Sequence, residues 1–302
     1  MRILLTGTSG QIGGALKPLL SVGHELIAPD RVEFDLSRTA MLSQALNRLA
    51  PELIVNPAAY TAVDRAEDEI ELAMAVNGVA PGEIARWAAS RGVPMVHFST
   101  DYVFEGSGER PWRETDPCAP TNVYGRSKLA GEDAIRAAGG PHLILRTAWV
   151  FASQGTNFMR TIVRLARERQ EMRVVMDQFG TPTSARSIAA AVHQILLQGS
   201  NDLPASFARS EGLVHLVNSG ATNWHGFASA IVAGLRGRGV PLEVVHIVPV
   251  KTAQYPTKAK RPANSRLETV RLAQAYGIVP QTWEQALGAE LDAFLAAETS
   301  GG

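Results

Sequence analysis

A tyrosine and a lysine spaced four residues apart, Tyr124 and Lys128, are the side chains of this sequence best suited to proton chemistry. Residues four apart on a helix share one face, so the two groups can act together. A free phenol titrates at about 10, and a neighbouring ammonium lowers that pKa toward neutrality. The spacing is common on ordinary helices and alone favours a structural interpretation. Thr100, at the end of a predicted strand, adds a hydroxyl that could hold a carbonyl oxygen beside Tyr124, which favours general acid catalysis.

A glycine-rich turn, Gly7-Thr8-Ser9-Gly10-Gln11-Ile12-Gly13, follows the first predicted strand and opens the first predicted helix. Glycines permit the tight turn and let backbone amides approach a pyrophosphate at the helix N-terminus. The spacing is one residue longer than G-x-G-x-x-G, so an ordinary strand-to-helix turn remains an alternative. Its place at the start of a strand-helix alternation favours a dinucleotide site that includes Gln11 and Ile12.

The predicted second strand ends near Asp30 and Arg31, which favour different cofactors. An acid here would accept hydrogen bonds from the adenosine ribose of NADH, whereas a guanidinium would pair with the 2′-phosphate of NADPH. Cofactor choice therefore stays open, and an ordinary turn acid is an alternative for Asp30. Asp35 and Leu36 are predicted to end the next short strand, near the adenine.

Short apolar runs alternate with helical patterns through the first half of the chain. The runs predict buried strands at 2–6, 25–28, 53–57, 95–100 and 143–150, and the helical patterns lie at 12–20, 39–49, 72–91 and 124–138. This alternation is typical of the α/β class and predicts a Rossmann-type, doubly wound parallel sheet.

Three polar or aromatic segments follow predicted strands of this sheet: Ala58-Ala59-Tyr60, Ser99-Thr100-Asp101-Tyr102 and Trp149-Val150-Phe151. Ligands of doubly wound sheets bind at the carboxyl ends of the strands, so we expect these segments to meet at one edge. Ser99 is expected on the cofactor side of that edge, together with Tyr124 and Lys128.

The second half of the chain is less regular. Residues 1–150 are predicted to form the dinucleotide-binding domain, and 151–302 mainly a smaller substrate-binding lobe. Segments near 173–198 and 213–219 are expected to return to the first domain. Residues 299–302 are predicted to be a frayed end.

Composition narrows the class of protein. Lys+Arg and Asp+Glu both number 29 among 302 residues, so neither nucleic-acid nor membrane-surface binding is favoured. No apolar run reaches the roughly 20 residues of a membrane helix, no signal sequence precedes the glycine turn, and Cys118 is the one cysteine. The seven histidines show no metal-ligand spacing, so no metal is expected. A cytoplasmic protein is predicted.

Seven stretches give the chain a family resemblance. They are Thr6-Gly7-x-x-Gly10-Gln11-Ile12-Gly13, Asn56-Pro57-Ala58-Ala59-Tyr60-Thr61-Ala62-Val63-Asp64-x-Ala66-Glu67, Ser99-Thr100-Asp101-Tyr102-Val103-Phe104, Pro120-x-Asn122-x-Tyr124-Gly125-x-Ser127-Lys128-Leu129-x-Gly131-Glu132, Arg146-Thr147-Ala148-Trp149-Val150-Phe151, Asp177-Gln178-x-Gly180-x-Pro182-Thr183 and Arg261-Pro262-x-Asn264-Ser265-x-Leu267. In these stretches the chain resembles the extended short-chain dehydrogenases/reductases and, within them, the dTDP-4-dehydrorhamnose reductases. The stretches span nearly the whole chain in the family's order.

The resemblance implies reduction of dTDP-4-dehydro-L-rhamnose by NADPH or NADH. It implies Tyr124 as proton donor, Lys128 as its partner and Thr100 as a group that tunes Tyr124. Thr100, Asp101 and Trp149 would contact the sugar nucleotide. The implied cofactor contacts are Gly7, Gly10, Gln11, Ile12, Asp30, Arg31, Asp35, Leu36, Ala58, Ala59, Tyr60, Ser99, Tyr124 and Lys128. Asn77, at the end of a predicted helical stretch, resembles an asparagine that supports the lysine, and a homodimer is left open.

Other functions on this fold remain alternatives. Related dehydratases carry a glutamate where this sequence has Tyr102, and a tyrosine is a poor base at neutral pH, so dehydration is disfavoured. An epimerase, a reductase for another nucleotide sugar and a non-catalytic regulatory subunit stay open. Trp149 has a further alternative as an ordinary core residue.

Overall fold

The fold was analysed in a computed structural model, which describes residues 1–300; the predicted frayed end thus lies partly outside the described residues. The first half alternates strands and helices: β1 Arg2–Leu5, α1 Gln11–Leu20, β2 Glu25–Ile27, α2 Leu42–Leu49, β3 Leu53–Asn56, α3 Ile70–Met74, α4 Ala80–Ala89, β4 Met95–Thr100, α5 Val123–Ala138 and β5 His142–Thr147. Short 3-10 turns cover Thr39–Met41, Arg65–Glu67 and Asp101–Val103.

The second half contains shorter strands between longer helices: β6 Val150–Phe151, α6 Phe158–Glu168, β7 Glu171–Val175, β8 Phe179–Gly180, β9 Thr183–Ser184, α7 Ala185–Gln198, α8 Leu203–Ala208, β10 Leu213–His215, β11 Thr222–Asn223, α9 Trp224–Arg236, β12 His246–Val250, β13 Asn264–Ser265, α10 Val270–Tyr276 and α11 Trp283–Ser300. Within residues 1–300, none of the helices is both long and apolar enough to cross a membrane.

The central sheet confirms the predicted fold class. Its strand order is β10-β5-β4-β3-β1-β2, and every neighbouring pair is parallel. The chain runs outward from β1 to β2 and then returns to β3 on the other side of β1. This reversal places a crevice at the carboxyl ends of β1 and β3, where ligands of doubly wound sheets bind.

Apolar side chains cover both faces of the sheet, as expected for buried parallel strands. Helices α1 and α7 pack on one face around Leu16 and Val192, and α4 and α5 pack on the other around Ile84 and Ile135. A separate apolar cluster forms between α6, α9 and α11, around Phe227. The sheet therefore holds its strand ends between two packed layers.

Two predicted strand regions differ from the structure. Strand β2 ends at Ile27, and residues 31–38 form turns rather than the strand expected before Asp35 and Leu36. Asp30 Oδ1 accepts hydrogen bonds from the backbone N–H groups of Val32 and Glu33 at 2.8 and 3.0 Å. Such side-chain-to-backbone bonds compete with strand pairing and favour turns.

The predicted strand 143–150 is also interrupted. Strand β5 ends at Thr147, Trp149 takes a left-handed backbone conformation with φ of 48°, and β6 pairs with β9 outside the central sheet. The chain leaves the sheet at this point because a left-handed residue cannot continue a strand.

Of the segments expected to return to the dinucleotide-binding domain, β10 pairs with β5 and α7 packs on α1. The segment near residue 173 does not return, because β7 pairs with β12 in a separate two-stranded sheet. The side chains of Met172 and Val174 pack in the cluster around Phe227 instead. The division at residue 150 stays a prediction.

Candidate active site

The glycine turn lies at the crevice between β1 and β3. Gly7 has φ of +59°, a conformation open to glycine, and a Cβ there would lie 2.9 Å from the backbone N of Ala58. Gly10 precedes α1, and no side chain caps that helix. The first amides of α1 thus remain available for a phosphate, which the helix N-terminus favours electrostatically. The residues present fit the pyrophosphate of a dinucleotide.

Polar residues follow strand β2 along the chain. Arg31 is exposed, and its Nε lies 3.8 Å from Asp35 Oδ1. Burial raises the pKa of Asp35, but Ser37 and the guanidinium of Arg31 outweigh burial and lower it overall. Leu36 is buried among the apolar side chains beneath the sheet. The predicted cofactor contacts of Asp30, Arg31, Asp35 and Leu36 stay predictions.

Asn77 ties the segment after β3 to helix α5. It sits in a π-helical turn, Ala75–Val79, between α3 and α4, and so in the middle of a continuous helix rather than at its predicted end. Its Oδ1 accepts from the Tyr60 N–H at 2.8 Å, and its Nδ2 donates to Tyr60 O at 2.9 Å and to Ser127 Oγ at 3.0 Å. Asn77 therefore supports the turn of α5 beneath Tyr124, and contacts Ser127 rather than Lys128.

The turn after β4 brings together a hydroxyl, a carboxyl and two phenols. Thr100 Oγ1 donates to Asp101 Oδ1 at 3.0 Å and accepts from the Tyr102 N–H at 3.2 Å. The ring of Tyr102 meets that of Tyr124 edge to face, with centroids 5.5 Å apart. Burial raises the pKa of Asp101 to about 6, although hydrogen bonds from Ser265 and Thr100 oppose that rise. Thr100, Asp101 and Tyr124 thus lie together, as predicted.

The pKa values of Tyr124 and Lys128 differ from those that the sequence predicts. Burial and the negative charge of Asp101 raise the pKa of Tyr124 to about 12, against a lowering contribution from Thr100. Burial lowers the pKa of Lys128 to about 8, and Glu132 opposes that shift. Lys128 Nζ donates to Phe98 O at 2.6 Å. The protein environment therefore keeps Tyr124 protonated at neutral pH and does not favour its phenolate.

A buried polar chain behind Lys128 escaped the sequence analysis. Lys128 Nζ lies 3.3 Å from His97 Nε2, and His97 Nδ1 lies 3.2 Å from Asn56 Nδ2. Thr6 Oγ1 donates to Asn56 Oδ1 at 2.6 Å and accepts from the Ala58 N–H at 3.2 Å. Burial holds the pKa of His97 well below its usual value, so the ring is neutral. The sequence does carry one signal of this chain: a polar residue lies within each of two apolar strands, Asn56 in β3 and His97 in β4.

Trp149 and Ser99, two further predicted site residues, both have side-chain partners in the structure. The ring of Trp149 stacks on that of Trp224, a residue that the sequence analysis did not single out. Ser99 lies beside Glu132 and helps to lower the pKa of that carboxyl, whose main partner is Arg146. The predicted cofactor contact of Ser99 stays a prediction. Within residues 1–300, no cluster of three His, Cys, Asp or Glu side chains could hold a metal ion.

A parallel sheet with a glycine turn at its strand-order reversal, and a tyrosine and lysine on the helix between β4 and β5, defines an extended short-chain dehydrogenase/reductase of the Rossmann type. The family described as RmlD substrate binding domain matches residues 1–296. The chain belongs to this family.

Individual relatives cover almost the full chain. A dTDP-4-dehydrorhamnose reductase of Burkholderia thailandensis is 46% identical over 95% of this chain and 97% of its own length. A second, from Escherichia coli K12, is 42% identical over 94% and 95%.

Solved structures of dTDP-4-dehydrorhamnose reductases are also similar to this chain over nearly its full length. A dTDP-4-dehydrorhamnose reductase from Clostridium acetobutylicum has a TM-score of 0.87 and 33% identity, covering 98% of this chain and 100% of that one. One from Bacillus anthracis, in complex with NADP, has a TM-score of 0.86 and 30% identity, covering 97% and 99%.

Proposed function

We propose that the protein reduces the C4 ketone of dTDP-4-dehydro-L-rhamnose to give dTDP-L-rhamnose. The observation that carries the proposal is the placement of the half-buried Tyr124 beside Thr100 and Asp101, where burial and the charge of Asp101 raise the pKa of its phenol to about 12. The name of the substrate comes from the relatives at 46% and 42% identity.

The cofactor is NADPH or NADH, which supplies the hydride when bound. Gly7, Gly10, Gln11 and Ile12 would hold the pyrophosphate, because the first amides of α1 are free of side-chain caps. Lys128 would donate to the nicotinamide ribose, since its ammonium already points out of α5 toward the end of β4. The remaining contacts would come from the strand ends beside this turn: Asp30, Arg31, Asp35, Leu36, Ala58, Ala59, Tyr60 and Ser99.

Tyr124 acts as the general acid. As the ketone carbon gains a hydride, its π bond breaks and negative charge develops on the oxygen. The Tyr124 hydroxyl donates its proton to that oxygen, so the products are an alcohol and a phenolate. The raised pKa of Tyr124 keeps the proton in place until this step, and the Thr100 hydroxyl, which lowers the pKa of Tyr124, favours the resulting phenolate.

Thr100, Asp101 and Trp149 would hold the sugar. Asp101 is 3% exposed and carries a raised pKa, so a hydrogen bond from a sugar hydroxyl would favour its charged form on binding. Tyr102 is unsuited to the elimination chemistry of related dehydratases, because burial raises its pKa far above neutrality. This supports reduction over dehydration.

The test uses the purified chain alone with NADPH and dTDP-4-dehydro-L-rhamnose. We expect loss of the reduced-nicotinamide absorbance and formation of dTDP-L-rhamnose, identified by NMR, without any partner protein. As the control, dTDP-glucose, which has no ketone, should leave NADPH intact. Absence of turnover with the keto sugar would contradict the proposal, and turnover that needs a second protein would favour the regulatory-subunit alternative.

A cytoplasmic location and a homodimer remain part of the proposal. Sedimentation of the purified chain would test the second of these.

A further inference from the structure

The backbone of Trp149 is unusual for its residue type. Within residues 1–300, the non-glycine residues with positive φ are Ala50, Trp149 and Glu211. Ala50 ends a helix, where left-handed residues are common, and Glu211 lies in a tight turn. Trp149 instead lies between β5 and β6, just after the carboxyl end of β5. Bulky residues adopt this conformation when their surroundings enforce it, and such residues cluster at ligand sites.

Trp224 supplies the main enforcing contact. The two indole rings are stacked, with centroids 3.6 Å apart and planes within 10° of parallel. Gly180 leaves the room for this arrangement, because a Cβ on Gly180 would lie 2.5 Å from Trp149 Cε2. The Trp149 carbonyl accepts from the Thr183 N–H at 3.1 Å, which fixes the backbone beside the ring. The position of the Trp149 indole is thus set from three directions.

Trp224 is itself held in one orientation. Its Nε1–H donates to Gln178 Oε1 at 3.1 Å, and Gln178 Nε2 donates to Thr252 Oγ1 at 3.1 Å. On the α6 side the Phe158 ring lies 4.6 Å from the Trp224 ring. An indole N–H that is partly removed from water favours such an acceptor, and here the acceptor also prevents the Trp224 ring from turning away from Trp149.

The stack joins the apolar cluster of α6, α9 and α11 to the catalytic end of the sheet. Trp224 packs with that cluster, and Trp149 packs against a second apolar cluster that includes Val103 and Phe104, which directly follow Thr100 to Tyr102. Both indoles are only half-buried. A partly exposed aromatic surface just after the carboxyl end of β5 suits the C–H groups and methyl of a 6-deoxy sugar.

We propose that Trp224 is a positioning residue, which holds Trp149 as a fixed aromatic wall against the sugar of the substrate. This inference rests on the proposed function, since it assigns the exposed part of Trp149 to that sugar. Trp224 itself acts through Trp149 and takes no part in hydride or proton transfer.

The test compares Trp224→Leu, Trp224→Phe and Gly180→Ala in steady-state kinetics. Trp224→Leu should raise the KM for the sugar nucleotide about tenfold, the equivalent of about 1.4 kcal/mol of lost packing, with kcat within about threefold. Trp224→Phe should recover most of the affinity, because a ring still stacks there. Gly180→Ala should raise the same KM without altering Trp224, because its methyl displaces the Trp149 ring.

A spectroscopic readout separates positioning from a general structural role. Two stacked indoles give an exciton couplet in the far-UV circular dichroism spectrum, and Trp224→Leu and Trp149→Phe should each abolish it. The Kd for NADPH should stay unchanged. If the couplet disappears in Trp224→Leu and the KM stays at the wild-type value, the proposal is overturned. If Trp224→Leu does not fold, Gly180→Ala decides by the same two readouts.

Failure of the underlying function would look different. A wild-type chain without turnover contradicts the proposed reaction. The positioning role of Trp224 can then still be tested by measuring the Kd of the same variants for dTDP-L-rhamnose by calorimetry. Weaker binding in Trp224→Leu and Gly180→Ala supports the positioning role of Trp224, and unchanged binding overturns it.

Discussion

Two groups of ionisable residues contain side chains of helix α5, and the protein shifts their pKa values in different ways. The first, the ion-pair cluster, consists of Glu132 and Arg146, joined by two hydrogen bonds of 2.7 and 2.9 Å. The second, the proton-transfer cluster, consists of Asp101, Tyr124 and Lys128, whose charged forms have hydroxyl and backbone partners rather than a guanidinium. Glu132, Arg146, Asp101 and Lys128 are all nearly completely buried and Tyr124 is half-buried, yet the pKa values of the two clusters shift in different ways.

In the ion-pair cluster, Arg146 more than offsets the burial of Glu132 and lowers the pKa of that carboxyl. In the proton-transfer cluster, burial prevails: the pKa of Asp101 rises to about 6, that of Tyr124 rises to about 12 and that of Lys128 falls to about 8. A buried charge with a matched partner supports the fold. Asp101, Tyr124 and Lys128, whose pKa values shift toward their neutral forms, can exchange protons or bind a polar ligand.

Lys128→Met gives the largest expected effect. We expect kcat/KM to fall by about 10²–10⁴-fold, because the proposed contact to the nicotinamide ribose and the positive charge that makes it are lost. Stability should stay close to wild type, since loss of the bond to Phe98 O is offset by removal of a buried ammonium. Arg126→Met, an exposed position two residues earlier on α5, is the matched control and should leave kinetics unchanged. Wild-type kcat/KM in Lys128→Met would exclude Lys128 from the site.

Glu132→Gln should have the opposite effect to Lys128→Met, since it should act mainly on stability. It leaves the buried Arg146 guanidinium without its counter-charge, and such changes lower the free energy of unfolding by about 3–5 kcal/mol. The matched control is Arg136→Gln, which removes the exposed partner of the same carboxylate and should change stability by less than about 1 kcal/mol. Urea unfolding measures both. Equal losses in the two variants would show that the distinction between the clusters is wrong.

Asp101→Asn should stabilise the fold while it impairs substrate binding. The pKa of Asp101 is raised in the folded state, so its contribution to stability is present at low pH and is lost as pH rises through about 6. Above that pH the variant should therefore be more stable than wild type by about 1–3 kcal/mol. Below about pH 4 the difference should vanish. Urea unfolding at both pH values, with a KM measurement, checks this, and a pH-independent difference would contradict it.

Arg31→Ala should give the smallest effect on stability, because its pairing with Asp35 is exposed and 3.8 Å long. We expect the free energy of unfolding to change by less than about 0.5 kcal/mol. The KM for NADPH should rise about tenfold and that for NADH should not, since one charge-assisted bond to the 2′-phosphate is worth about 1.5 kcal/mol. An unchanged ratio of the two KM values would remove Arg31 from the cofactor site.

The parts of the site that depend on local spacing could be predicted from the sequence. The glycine turn and Tyr124/Lys128 each lie within one turn or helix, and the strand-helix alternation was enough to predict the parallel sheet. The turns at 31–38 were missed because Asp30 and Asp35 bond to backbone N–H groups that a strand would have used. Apolar pattern alone does not reveal that competition.

Contacts between distant segments could not be predicted. The partner of Glu132, the stack of Trp224 on Trp149 and the bond from Lys128 to Phe98 O all join residues from different elements. The prediction that Lys128 lowers the pKa of Tyr124 assumed that the two side chains meet. In the structure Lys128 Nζ is directed to the end of β4, so burial and Asp101 decide the pKa of Tyr124.

The most direct test of the comparison is the single-turnover rate of hydride transfer in Tyr124→Phe, mixed with NADPH and saturating dTDP-4-dehydro-L-rhamnose. Phenylalanine fills the same space and removes only the proton donor. We predict a rate about 10²–10⁴-fold below wild type, with an unchanged Kd for NADPH and a free energy of unfolding no lower than wild type. A wild-type rate of hydride transfer would contradict the assignment of proton transfer to this cluster.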